Sequence, residues 1–262
     1  MIHVDSATVR YGDRAALTDA SLSVAPGEFL CLVGRNGSGK TTLLRLLAGL
    51  LEPTAGTVRI GGRAAADRQS RAVRGFLQAE PPLYEYLTVA EQLALVAKLY
   101  GRPPAQVLDR LAGTALADRR HALVRELSLG MRKQLGLIAA TVHDPALILL
   151  DEPTNALDAT AVAALRETVE RWHGEGRLIV LCTHDLAWAD GLADRLVVLS
   201  AGRVLHDVAL DGETATAALR RLDPSGALTA RSEGSTEESV EGPTDPPTDQ
   251  PTEENTAEAG TP

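Results

Sequence analysis

Residues Gly34-Arg35-Asn36-Gly37-Ser38-Gly39-Lys40-Thr41 match the spacing G-x-x-x-x-G-K-[ST] of a phosphate-binding loop. The motif constrains the fold because it works only between a buried strand and the start of a helix. Both flanks are present. Phe29-Leu30-Cys31-Leu32-Val33 is short and apolar, and Thr42-Leu43-Leu44-Arg45-Leu46-Leu47-Ala48 reads as a helix with one apolar face. Free N–H groups and the positive end of the helix dipole then meet an anion. Gly34, Gly37 and Gly39 allow positive φ and a close backbone approach to phosphate oxygens. Lys40 is placed to reach the β- and γ-phosphates, and Thr41 to offer its hydroxyl to Mg²⁺. The competing reading, a glycine-rich turn that binds nothing, does not account for the two flanks. The loop alone specifies a nucleoside triphosphate, not what is done with it.

The chain has 262 residues, enough for one large or two small domains. Its longest apolar runs, Ala146 to Leu150 and Leu178 to Cys182, fall far short of a membrane span. The start, Met1-Ile2-His3-Val4-Asp5, does not read as a signal peptide, so the expected location is the cytoplasm. Cys31 and Cys182 sit in apolar strand-like runs and read as buried, reduced thiols. The net charge of −9 is concentrated at one end. Nine acids and the single base Arg231 follow Pro224, which leaves the body at −1. A nearly neutral body gives no basic surface for a nucleic acid, and none is expected as a partner.

Residues 1–33 alternate apolar and polar, with turn signals at Gly12-Asp13 and Pro26-Gly27. They predict a small, partly antiparallel sheet leading into the first buried strand. Tyr11 is either a strand-end tyrosine or a ring that stacks on a base. Strands are expected at Thr57–Ile60 and Ala72–Leu77. Thr88-Val89-Ala90-Glu91 is a capping box opening a helix to about Tyr100, and Pro103-Pro104 opens a second from about Ala105. Ser128 caps a helix that runs to about Val142, a second helix start able to face phosphate. Ala146-Leu147-Ile148-Leu149-Leu150-Asp151-Glu152 is an apolar strand ending in two acids. Acids at that end of a parallel strand sit where ligands bind. Asp151 is placed to hold Mg²⁺ and Glu152 to polarise an attacking water. Leu178 to Cys182 is another buried strand, and His184 follows it as either a bland residue or a γ-phosphate contact. A hairpin turns at Ala201-Gly202, and a last helix covers about Thr214 to Leu222. The remainder, rich in Pro, Thr, Glu, Ser and Gly, is expected to be disordered.

Over roughly residues 2–222 the chain resembles the ATP-binding subunit of an ABC transporter. Gly34 to Thr41 stands as Walker A, and Leu127-Ser128-Leu129-Gly130-Met131 resembles the signature motif. Leu147 to Glu152 is similar to Walker B with its catalytic glutamate, and Ala156-Leu157-Asp158 to the D-loop. His184 matches the switch histidine, and Tyr11 the adenine-stacking aromatic. Each element is common; their joint order is specific. The resemblance implies an α/β fold, a P-loop NTPase of ABC type. It has a parallel core sheet, a small antiparallel β subdomain and an inserted helical subdomain at about 86–142. The ATPase domain would span 1–222 and the acidic tail 223–262. Implied cofactors are ATP and Mg²⁺. Lys40, Glu152 and His184 would be catalytic. Tyr11, Gly34, Arg35, Asn36, Gly37, Ser38, Gly39, Lys40, Thr41 and Thr42 would bind the nucleotide of their own chain. Ser128, Gly130 and Asp158 would act across a head-to-tail dimer. Thr41, Asp151 and Gln78 would hold the metal. Implied partners are a second ATPase subunit, a copy of this chain, and a separate transmembrane permease. The subunit would sit on the inner face of the cell membrane.

The sequence departs from the family pattern in three places. Leu129 and Met131 replace a Gly and the Gln of the usual signature. This form, followed by Arg132-Lys133-Gln134-Leu135, resembles subunits of bacterial drug and antibiotic exporters. The expected Q-loop glutamine falls at Ala79, with Gln78 one residue early. Either the loop bulges so that Gln78 reaches Mg²⁺, or that ligand is missing, since a shift of one turns a side chain to the other face. The acidic tail is the third departure. Two other readings stand beside the exporter: a soluble ABC ATPase of the iron–sulfur assembly type, and a nucleotide-binding module with little turnover. One phosphate loop argues against the two-domain ribosomal type, and the short insert against the coiled-coil repair type.

Overall fold

Every side chain of Phe29–Val33 is buried. Parallel strands flank it on both sides, and apolar clusters cover both of its faces, which is why the run is apolar throughout rather than alternating.

A computed structural model describes residues 1–227. β1 (Ile2–Tyr11) and β2 (Arg14–Val24) pair antiparallel; β3 (Phe29–Val33) and α1 (Lys40–Leu47) enclose the glycine loop. β4 (Ala55–Ile60) and β5 (Arg63–Ala64) return to the first sheet, whose order is β2-β1-β4-β5. The turn α2 (Arg68–Arg71) leads to β6 (Arg74–Leu77). Next come α3 (Val89–Leu99), α4 (Pro104–Leu108), three single 3₁₀ turns and α5 (Leu129–Thr141). Then follow β7 (Leu147–Asp151), α6 (Ala159–Gly174), β8 (Leu178–Cys182), α7 (Leu186–Ala189), β9 (Arg195–Ser200), β10 (Arg203–Ala209) and α8 (Ala215–Leu222). The second sheet has the order β10-β9-β3-β8-β7-β6. Its neighbours run parallel except β10, which pairs antiparallel with β9. The chain is thus an α/β fold with a parallel core sheet, a small antiparallel sheet and an inserted helical block.

Three apolar cores follow from this layering. One joins β1, β2, β4 and α1 to one face of the core sheet, and the second packs α6, α7 and α8 on the opposite face. The third belongs to the helical block and includes Val89, Leu93, Ala97, Leu111 and Leu135. Each fully buried leucine contributes about 1.5–3 kcal/mol. α3 starts as the sequence predicts: Thr88 accepts from the Glu91 N–H, and the Glu91 carboxylate accepts from the Thr88 N–H. α5 lies hard against β6 and its exit. A Cβ on Gly136 would sit 2.5 Å from Pro81, and one on Gly75 would sit 2.2 Å from the Ala140 carbonyl.

Three local expectations change. The strand expected from Ala72 begins at Arg74, because Ala72 closes α2. The second helix of the block stops at Leu108 and breaks into 3₁₀ turns around Gly113, whose φ is +76°. Residues 159–174, unassigned from sequence, form the long helix α6. Its buried stripe is only Leu165, Val169 and Trp172, too thin to read as amphipathic. Of the acidic tail expected at 223–262, the part after Ala227 lies outside the described residues.

Candidate active site

The phosphate loop is held open by its glycines. Gly39 has φ +106°, and a Cβ there would lie 2.6 Å from the Ala16 carbonyl; at Gly34 a Cβ would lie 2.2 Å from the Leu199 carbonyl. Only glycine fits either approach. The Lys40 ammonium donates to the carbonyls of Gly34 at 2.7 Å and Arg35 at 3.0 Å, curling over the loop. Ser38 is buried beneath it, and its carbonyl accepts from the Gly202 N–H at 3.0 Å. The first turn of α1 leaves N–H groups without partners in the helix, and these face the loop's hollow.

β3, β6, β7 and β8 are parallel, so their exits share one sheet edge. That edge brings together Gly34, the segment 78–79, Asp151 with Glu152, and Thr183 with His184. Asp151 is 3% exposed and stands opposite Cys182. Glu152 lies in the left-handed region at φ +46°. Its Oε2 meets His184 Nδ1 at 2.8 Å and accepts from the His184 N–H at 3.3 Å. Burial pushes the Cys31 thiol up to about 12 and also raises Cys182, with Asp151 adding to the latter. Both thiols are free, buried and protonated at neutral pH.

A cleft of about 470 Å³ spans the loop and this edge, within the range of ligand sites. Tyr11, Asn36, Gly37, Gly39, Lys40, Thr41 and Thr42 line it, as do Asp151 and Glu152. Arg35 is exposed, while Gly34 and Ser38 shape the loop from behind. The wall at the β6 exit is Ala79, not Gln78, which is half-buried. Ser128 caps α5 by accepting from the Met131 N–H at 3.2 Å, away from the cleft of its own chain. Gly130 lies against the Ala156 carbonyl, and Ala156 is left-handed at φ +65°. Asp158 caps α6 through the Ala161 N–H at 2.8 Å. A larger hollow, about 570 Å³, lies between α5 and α6, but it lacks the phosphate loop.

The family model described as "ABC transporter" matches residues 17–155, which spans the loop, the helical block and the two acids at the end of β7. The chain belongs to the ABC transporter ATP-binding family. Among its relatives, the lantibiotic transport ATP-binding protein SrtF of Streptococcus pyogenes is 31% identical over 212 residues, covering 81% of this chain and 92% of that one. The aliphatic sulfonates import ATP-binding protein SsuB 2 of Xanthomonas axonopodis pv. citri is 43% identical over 202 residues, covering 77% and 68%. Among solved structures, an ATP-binding subunit of an ABC transporter aligns with TM-score 0.75 and 31% identity, over 87% of this chain and 95% of that one. A dimeric post-hydrolysis state of the ATP-binding cassette MJ0796, bound to ADP and Pi, aligns with TM-score 0.72 and 25% identity, over 81% and 100%. As an ABC ATP-binding subunit the chain is an ATPase. This ABC chain also puts Arg14 and Ala16 in the cleft wall, which sequence reasoning missed. The Gly12-Asp13 turn was the available signal, since it pairs Arg14 with Tyr11. Among the described residues no helix is long and apolar enough to cross a membrane.

Proposed function

We propose that this subunit hydrolyses ATP between two copies of itself, arranged head to tail, and thereby powers export through a separate membrane permease. The observation that carries the reading is the separation of Ser128 and Gly130 from the cleft of their own chain. A helix start able to donate to phosphate has no phosphate within reach unless a second subunit brings one. In this reading residues 1–222 are the ATPase domain and about 86–142 its helical subdomain. Tyr11 stacks on the adenine, residues 34–42 cradle the phosphates, and Lys40 swings from its loop carbonyls onto the γ-phosphate. Glu152 polarises the attacking water, and His184, bonded to its carboxylate, contacts the γ-phosphate. Ser128 and the Gly130 N–H approach the partner's nucleotide, and Asp158 crosses the interface.

The residues fit Mg²⁺: the Thr41 hydroxyl and the buried Asp151 carboxylate are hard oxygen donors lining one cleft. When bound, the ion neutralises charge on the phosphates. Gln78 joins it only if the segment after β6 rearranges. The lean to export rests on Leu129 and Met131 of the signature. The relatives carry both a lantibiotic transport name and an import name, and these names together with the transporter family model disfavour an assembly-type ATPase. The expected location is the cytoplasmic face of the membrane.

The test uses tagged Glu152→Gln with ATP and Mg²⁺. The variant should hold ATP, run as a dimer and hydrolyse about 10²–10⁴-fold more slowly, the range of a lost general base. A membrane pull-down with it should recover a multi-span protein. Recovery of soluble partners alone would sink the transport reading, and wild-type turnover would remove Glu152 from its role.

A further inference from the structure

Lys133 has no part in the scheme above. It lies on α5 with only 5% of its surface exposed. Its ammonium donates to two backbone carbonyls, Ala79 at 2.8 Å and Glu152 at 2.7 Å. These carbonyls follow the neighbouring strands β6 and β7, so one side chain ties three segments together. Among the described residues no carboxylate lies within ion-pair distance of it. Burial lowers its pKa, opposed by the more distant charges of Asp151, Glu152 and Glu80. A buried ammonium without a paired anion is a costly way to fill space. Packing alone would be served better by methionine.

The carbonyl it holds belongs to a residue under strain. Glu152 is not glycine, yet it sits at φ +46°, a conformation that persists only when its surroundings over-determine it. Its N–H donates to the Cys182 carbonyl at 2.8 Å, its carboxylate is bonded to His184, and its carbonyl is bonded to Lys133. Only the last of these comes from the helical block.

We propose that Lys133 is a positioning residue for ATP hydrolysis. By holding the Glu152 carbonyl it keeps that residue left-handed, with its carboxylate presented to the cleft, and by sharing its ammonium with Ala79 it sets this geometry in register with the β6 exit. The proposal rests on the reading of Glu152 as the group that polarises water. A misplacement of about 1 Å at such a group costs about 10²-fold in rate.

The experiment compares full-length wild type, Lys133→Met and Lys133→Gln for kcat, KM for ATP and melting temperature, each also in the Glu152→Gln background. Lys133→Met should lower kcat about 10–100-fold with KM within about twofold. Lys133→Gln keeps two N–H donors and should be at least about threefold faster than Lys133→Met. In Glu152→Gln, adding Lys133→Met should leave the residual rate unchanged, because no carboxylate remains to position. If Lys133→Met does not fold, Lys133→Ala, which also lacks the donor, takes its place: reduced kcat at constant KM supports the proposal, and wild-type kcat overturns it. An undiminished Lys133→Met beside an inactive Glu152→Gln overturns the proposal alone. So does a full rate loss from Lys133→Met within Glu152→Gln. Wild-type kcat in Glu152→Gln overturns the reading on which the proposal rests.

Discussion

At the scale of single residues, the site depends on groups whose backbone is as constrained as their chemistry. Gly39 shows this most simply. Gly39→Ala sets a methyl carbon 2.6 Å from the Ala16 carbonyl and 2.8 Å from Leu17, at φ +106°. The loop must leave β2, so ATP binding should be lost by at least about 10²-fold while most of the core persists. Equilibrium titration with a fluorescent ATP analogue measures this, and unchanged affinity would show that the loop tolerates the shift. The sequence made the loop, both acids and His184 legible because each follows an unbroken apolar run that reads as a buried strand. Lys133 was not legible: a lysine inside a helix reads as solvated until its carbonyl partners are seen. Gln78 and Ala79 could be ordered only by structure, since one residue's difference at a strand exit decides which side chain lines the cleft.

At the scale of elements, α5 carries the helical block onto the core sheet. Its far end has a pH-sensitive contact. His143, just after α5, is 7% exposed and stacks on Tyr100 with ring centroids 3.9 Å apart. Its Nε2 donates to the Arg74 carbonyl at 3.0 Å. Burial lowers its pKa below the usual 6.5, and Arg102 and Arg110 push the same way, while the Arg74 carbonyl and Asp144 oppose. The folded state therefore resists protonation more than the unfolded chain does. Its stabilising contribution is complete above about pH 6.5 and is lost as pH falls through the lower folded value. Melting curves at about pH 7.5 and about pH 5 should show a larger drop for wild type than for His143→Gln. Equal drops would mean the ring is protonated without cost. This contact was invisible in the sequence, because it joins residues far apart in the chain. The thin stripe of α6 hid that helix for a different reason: most of its surface faces solvent.

At the scale of the whole molecule, the proposed head-to-tail reading gives each chain two half-sites. The cleft and the signature helix start are separate in the subunit, and the cassette MJ0796 is a dimer in its solved structure. Lys40→Ala removes the phosphate contact and Ser128→Arg blocks the opposite half-site, so each variant alone should hydrolyse little ATP. Mixed in equal amounts, they should form about half heterodimers, each with one intact composite site of two, and regain turnover of up to about a quarter of wild type where the sites work independently. Mixtures as inactive as their parts would rule out a head-to-tail dimer whose two sites work independently. The order of motifs in the sequence carried this expectation, and the fold adds that Ser128 and Gly130 do not line the cleft of their own chain.

The contacts under the loop have a thermodynamic consequence. Gly34 abuts the Leu199 carbonyl and Gly39 the Ala16 carbonyl, and the Gly202 N–H fastens Ser38 from below. Strand ends from distant parts of the chain thus clamp the loop. Its ordering entropy is lost when the protein folds, not when nucleotide arrives. In the proposed reading ATP meets a preformed seat, and the affinity of a single subunit should reflect desolvation and contact rather than loop closure.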